Sequence, residues 1–183
     1  MKRAIIGLSM ALASLTIPGA APADLPTGAR APQFSTQGAL GGTEFNFNLA
    51  KALRKGPVVL YFYPKSFTEG CSIEARAFAQ ASKDFKAAGA TLIGLSADTI
   101  EVQKEFSRKE CGSKFPVGVA TPSIIGAYDV HLKKPDGART GLSSRTSYVI
   151  ARTGKVVMVF TDMNPNQHVA RTLAAVRALR AKR

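Results

Sequence analysis

Cys71 follows Thr68 by three residues and Pro64 by seven, within Tyr63-Pro64-Lys65-Ser66-Phe67-Thr68-Glu69-Gly70-Cys71-Ser72. A thiol reacts as its thiolate, which forms where the surroundings are electropositive. The segment offers one such place. The apolar run at 58–63 stops at Pro64 and a helical pattern begins near Ser72, so Cys71 falls at or near the first turn of a helix. Unpaired amides and the positive end of the dipole there favour negative charge on sulfur. The Thr68 hydroxyl can reach either the sulfur or an oxygen bound beside it. Pro64, which has no N–H, can wall a pocket without competing for hydrogen bonds. The plain alternative is a structural disulfide between Cys71 and Cys111, the only other cysteine. His131 lies in a loop rich in lysine and proline, and His168 lies near the start of the last helix; both are expected to be solvated. Two cysteines and two isolated histidines make no evident ligand set, so no metal, flavin or haem is expected.

The elements that must position Cys71 alternate between strand and helix. An irregular lead-in at 24–33, with Pro26, Gly28 and Pro32, precedes a short alternating strand at Phe45-Asn46-Phe47. The six apolar or aromatic residues 58–63 read as a strand buried on both faces. Residues 72–88 carry Ile73, Ala77, Ala81, Phe85 and Ala88 at helical spacing and stop at Gly89. A strand at 91–95 follows, then a helix capped by Asp98 or Thr99 and running to about Cys111, then a short strand at 115–119. Residues 147–150 and 156–160 form a hairpin around Arg152-Thr153-Gly154, and a last helix from Asn166 places Val169, Leu173, Val176 and Leu179 on one face. Phe45, Phe47, Phe78 and Phe85 are expected in the core. This order specifies an α/β domain: a central mixed sheet with helices on both faces.

Composition narrows the function classes. The chain has 183 residues, 45% of them hydrophobic, enough for one core and too apolar for disorder. Two cysteines cannot make a disulfide scaffold, and no run of about 20 apolar residues spans a bilayer, so stable membrane insertion is not expected. Lys2 and Arg3 precede an apolar run at 4–17, Pro18-Gly19 breaks it, and Ala21-Pro22-Ala23 offers small residues for cleavage. Residues 1–23 thus read as a secretory signal peptide removed after Ala23, and residues 24–183 as a single exported, periplasmic domain. The net charge of +13 attracts anions without naming a partner. Arg171, Arg177, Arg180, Lys182 and Arg183 read as the solvated side of an amphipathic helix; no aromatic residues interleave with them, so nucleic acid is not an expected partner.

The order of elements resembles the thioredoxin fold with an N-terminal extension, and Pro64-x-x-x-Thr68-x-x-Cys71 resembles the signature of the peroxiredoxins. The approach at 58–65 looks like the peroxiredoxin Q or bacterioferritin-comigratory subgroup of that family. The likeness extends over about 28–160, including Thr43-Glu44-Phe45 and Arg145-Thr146-Ser147-Tyr148-Val149-Ile150. It implies reduction of hydrogen peroxide and organic hydroperoxides by Cys71, with Arg145 and Thr68 as donors to the transition state and Glu74 holding the arginine. It also implies a thiol reductant, protein or small molecule, and a monomer or homodimer. Three positions depart from the pattern. Glu69 stands where many relatives have proline, Ala151 where an acid is common, and Arg76 where the subgroup often carries its resolving cysteine.

Three roles therefore stay open for Cys111: it resolves oxidised Cys71, it is inert, or it pairs with Cys71 permanently. Rival functions are also defined. A thiol–disulfide oxidoreductase would want Cys-x-x-Cys, and residue 74 is Glu. A papain-like hydrolase needs a histidine beside Cys71, and a basic binding module would rest on the arginine-rich tail.

Overall fold

Residues Val58–Phe62 form a strand in which every side chain is buried, yet its two faces serve different cores. Val58, Leu60 and Phe62 point into one layer and Val59 and Tyr61 into the other, as the two-residue period of a strand requires. The computed structural model describes residues 24–181. The expected signal peptide at 1–23, together with Lys182 and Arg183, lies outside the described residues.

In chain order the elements are β1 (Ser35–Leu40), β2 (Thr43–Asn48), α1 (Leu49–Lys55), β3 (Val58–Phe62), α2 (Glu69–Ala87), β4 (Thr91–Ser96) and α3 (Ile100–Lys109). They continue with β5 (Val117–Val119), α4 (Pro122–Ala127), β6 (His131–Lys133), β7 (Arg139–Ser143), β8 (Thr146–Ile150), β9 (Val156–Thr161) and α5 (His168–Ala181). Seven strands form one sheet in the order β2-β1-β5-β4-β3-β8-β9. β3, β4 and β5 run parallel, while β8 lies antiparallel to β3 and β9 antiparallel to β8. The sheet is mixed, with helices on both faces, as the alternation of strand and helix predicts.

One layer is built from α1, α4 and the aromatic rings of Phe62, Tyr128 and Tyr148. The other packs α2, α3 and α5 over Val59, Tyr61 and Val149, and it contains both cysteines. Gly94 on β4 makes a close approach possible there. A Cβ at Gly94 would sit 2.4 Å from Cζ of Tyr61, whose ring stacks on Phe78 at 4.4 Å.

Several elements differ from the sequence expectation. α2 begins at Glu69 rather than Ser72, which puts Cys71 inside the first turn. Neither Asp98 nor Thr99 caps α3 through its side chain: the Asp98 carboxylate instead accepts from the Ser66 amide and the Ser96 hydroxyl, each at 2.7 Å. β1, α1, α4 and the small hairpin of β6 and β7 are elements that the apolar patterning does not announce. Phe45 is 37% exposed on an edge strand, whereas Phe47, Phe78 and Phe85 are core. The buried stripe of α5 is His168, Thr172 and Val176, with Val169, Leu173 and Leu179 only half-buried beside it.

Candidate active site

The loop from β3 to α2 is pinned at several points before it reaches Cys71. The Ser143 hydroxyl donates to the Tyr63 carbonyl at 2.8 Å, and the Tyr63 hydroxyl donates to Gln103 Oε1 at 2.7 Å. Half-buried Pro64 leaves the strand, and Phe67 turns the chain with a left-handed φ of 63° while its ring meets Phe106 edge-on at 5.2 Å. A bulky side chain rarely adopts that backbone conformation unless its surroundings enforce it. Exposed Thr68 follows as the residue flanking α2, and its hydroxyl donates to the Lys65 carbonyl at 2.9 Å. The expectation that Thr68 donates towards the sulfur is therefore not met in this arrangement, because its one proton closes the loop.

Cys71 is 2% exposed at the start of α2. Arg145, which immediately precedes β8, is equally withdrawn from solvent and directs Nη2 to Cys71 Sγ at 3.5 Å. Gly70 leaves room for this, since a Cβ there would stand 3.1 Å from the same nitrogen. The guanidinium is held from two further sides: Nη1 pairs with Glu74 Oε2, and Nε donates to the Met163 carbonyl at 3.0 Å. Burial works against its charge, but Glu74 and Cys71 outweigh that and hold the proton more firmly. Cys71, Glu74 and Arg145 thus come together, with Pro64 and Thr68 in the loop that leads to them.

Glu74 carries the burden of this packing. Desolvation pushes its carboxyl up to about 8, against the pull of Arg145, and its second oxygen, Oε1, is buried without a hydrogen-bond partner. Behind it lies His168. The expectation of a solvated histidine is corrected here: His168 is fully buried, with Nδ1 2.8 Å from Ser147 Oγ and Nε2 2.9 Å from the Asp162 carbonyl. Burial lowers its proton affinity. Its place on the stripe with Thr172 and Val176 was available in the i, i+4, i+8 spacing, but an apolar search passes over it. Met163 and Ser143, which act through a carbonyl and a hydroxyl, carry no sequence signal. His131 lies half-buried on β6, in register with Ser143 of β7.

Cys111 sits just past α3 and is fully buried in the same core layer as Cys71. Burial, with the charge of Glu110 adding to it, pushes its thiol far above the ordinary range. Both cysteines are free thiols, so the permanent disulfide is not what the structure holds. Among the described residues no three His, Cys, Asp or Glu side chains gather into a metal-binding group.

A buried thiol at a helix start, faced by a buried arginine on a mixed α/β sheet, defines a thiol-reactive protein of thioredoxin-like fold. The chain belongs to the AhpC/TSA family, whose model matches residues 27–159. It is similar to the chloroplastic peroxiredoxin Q of Sedum lineare, 32% identical over 68% of this chain, and spans less than two thirds of that relative's length, 65%. It is 31% identical to the peroxiredoxin Bcp of Xanthomonas campestris over 66% of this chain and 76% of that protein. Among solved structures, the peroxidoxin BcpB of Mycobacterium tuberculosis superposes with a TM-score of 0.73 at 28% identity, covering 83% of this chain and 96% of that one.

Proposed function

We propose that this chain is a thiol-dependent peroxidase that reduces hydrogen peroxide and organic hydroperoxides through Cys71. The observation that carries this reading is the 3.5 Å approach of Arg145 Nη2 to Cys71 Sγ, both side chains buried. The names of the family relatives point the same way.

In the proposed reaction the Cys71 thiolate attacks one oxygen of R–O–OH and a sulfur–oxygen bond forms as the O–O bond breaks. Sulfur is oxidised to a sulfenic acid, and RO⁻ takes a proton and leaves as ROH. Negative charge spreads over sulfur and two oxygens in the transition state. Arg145 and the free amides at the start of α2 are fixed donors for that charge, and fixed donors need no reorganisation at the moment of reaction. Glu74 holds Arg145 in place, while Pro64 and the Thr68–Lys65 hydrogen bond shape the loop.

Return to the thiol needs a second sulfur. Cys111 supplies it in our reading: its thiol condenses with the sulfenic acid, water leaves, and an external protein or small thiol opens the disulfide. The chain works after export to the periplasm as residues 24–183. N-terminal sequencing of protein from that compartment should begin at Asp24, and an intact Met1 would remove this part of the reading.

The test of the activity is Cys71→Ser. Peroxide consumption with a thiol reductant should vanish while the circular dichroism spectrum is kept. Turnover that survives in this variant would overturn the proposal.

A further inference from the structure

We propose that Glu74 and His168 hold one proton between them, and that this buried pair decides how far Arg145 is committed to Cys71. His168 is a positioning residue in this scheme, acting on the thiol through Glu74 and Arg145. The inference rests on the reading above only in taking Cys71 as the reacting thiol.

The hydrogen bonds of His168 fix its ring tautomer. The Asp162 carbonyl, 2.9 Å from Nε2, can only accept, so Nε2 carries hydrogen in both the neutral and the charged ring. The one acceptor lone pair of neutral His168 is then on Nδ1. That atom lies 2.8 Å from Ser147 Oγ and 3.6 Å from Glu74 Oε1. Oε1 is the carboxyl oxygen without a partner, since Oε2 accepts from Arg145. Nδ1 already accepts from the Ser147 hydroxyl, so a proton shared between Oε1 and Nδ1, in place of that hydroxyl or relayed by it, would give Oε1 the partner it lacks. The present gap is wider than a hydrogen bond; a small turn of the carboxyl closes it, or the Ser147 hydroxyl bridges it, accepting on one side and donating on the other.

The charges around the pair are few. Facing Glu74 are Arg145 beside β8, Cys71 on the same helix, the Tyr61 hydroxyl from β3 and His168 from α5. Facing His168 are Glu74, Arg145, Asp162 at the end of β9 and Arg171 one turn along α5. Tyr61 and Arg145 are both pushed up and keep their protons. Burial raises Glu74 to about 8 and lowers His168, which brings a carboxyl and an imidazole into competition for the same proton.

The consequence for Cys71 follows from Coulomb's law. With its proton, the pair is neutral overall and Arg145 is left to the thiolate. Without it, a bare carboxylate draws on the same guanidinium and adds negative charge next to the sulfur. Loss of the pair's proton therefore opposes thiolate formation, and the thiolate in turn makes the pair hold its proton more tightly.

The test uses the full chain and no peroxide. Two quantities are followed from about pH 5 to about pH 10, a span that covers the raised Glu74 carboxyl as well as ordinary imidazole and thiol titration. They are the ring nitrogen shifts of His168 by NMR, and the rate of Cys71 alkylation by iodoacetamide, read by mass spectrometry on the Cys71 peptide. In the wild type, one titration step should appear both in the His168 shifts and as an inflection in the alkylation profile. Glu74→Gln should remove that step from both. His168→Gln should move the inflection to lower pH by about one unit, the worth of one hydrogen bond.

A histidine that only packs would keep its titration in Glu74→Gln and leave the alkylation profile superimposable in His168→Gln; either result overturns the proposal. If His168→Gln does not fold, the ring shifts of wild type and Glu74→Gln decide alone. Failure to consume peroxide would overturn the peroxidase reading and leave this measurement unaffected.

Discussion

Arg76 Nη2 meets Glu110 Oε2 at 2.7 Å, which ties the second turn of α2 to the residue just before Cys111. Arg76 is the position where the resemblance to the peroxiredoxin Q subgroup leads one to look for a second thiol. Here a cation stands there and clasps the segment that carries the chain's other cysteine. Cys111 itself is fully buried beside Tyr61, whose hydroxyl feels both thiols. A disulfide requires Cα atoms within about 7 Å and a defined dihedral. For the proposed bridge, a buried thiol past one helix and another in the first turn of a second would have to reach that geometry by local unwinding. In the proposed cycle the Arg76–Glu110 clasp would oppose that unwinding and so slow recycling.

Peptide mapping after one equivalent of peroxide should find a reducible Cys71–Cys111 bridge in the wild type. Arg76→Ala should form it about threefold faster, in line with the modest worth of a half-exposed ion pair. Cys111→Ser should leave Cys71 as an unbridged sulfenic or sulfinic acid. If wild type and Cys111→Ser give the same unbridged product and the same turnover, Cys111 has no part in the cycle.

Arg145→Ala should slow sulfenic acid formation by about 100-fold, the usual cost of losing one preorganised donor. Arg145→Lys should restore little of this. A single ammonium cannot serve Cys71, Glu74 and the Met163 carbonyl together as the planar guanidinium does. Stopped-flow kinetics with a limiting amount of peroxide is the direct check. A wild-type rate in Arg145→Ala would reduce the residue to a packing role.

Glu74 makes a prediction about stability and pH. Burial, partly offset by Arg145, pushes its carboxyl up to about 8 in the fold. In the unfolded chain it titrates as an ordinary carboxyl, near pH 4 to 5 by the usual ~4.3. Between those values the folded chain holds a proton that the unfolded chain has released. The stability contributed by this group is therefore fully present below the unfolded value and is lost as pH rises through the folded one. Glu74→Gln has no such loss. Its Tm relative to wild type should climb from about pH 5 to about pH 8 and flatten beyond. A difference independent of pH in thermal melts would mean that Glu74 stays ionised throughout.

Gly94→Ala tests the floor beneath the site. Its Cβ would meet the Tyr61 ring at 2.4 Å, and that ring is wedged against Phe78. Overpacking of this kind costs about 1–3 kcal/mol. Urea unfolding should show a lower midpoint with an unchanged slope. No loss of stability would mean that Tyr61 has room to move.

Much of this protein is readable along the chain. The run at β3, the turn residues between Pro64 and Cys71, and the helical spacing after Cys71 each depend on neighbours a few positions apart, so local patterning announces them. Arg145 and Glu74 are legible only through the family resemblance. β1, α1, α4 and the β6–β7 hairpin are not announced by the sequence because they are short or polar, and their stability comes from the sheet and core they join.

The site itself was decided in three dimensions. Arg145 and Cys71 are 74 residues apart and meet because β8 pairs antiparallel with β3, bringing the start of β8 to the end of the strand that leads into α2. The sequence reads His168 as a surface histidine because a polar residue at a helix start is usually solvated. α5 instead packs over β8 and α2, which removes water from its ring and leaves Ser147, the Asp162 carbonyl and Glu74 as its surroundings. Local sequence sets where a nucleophile can stand. Which charges it feels depends on burial and on which distant elements pack together, and neither has a period that the sequence displays.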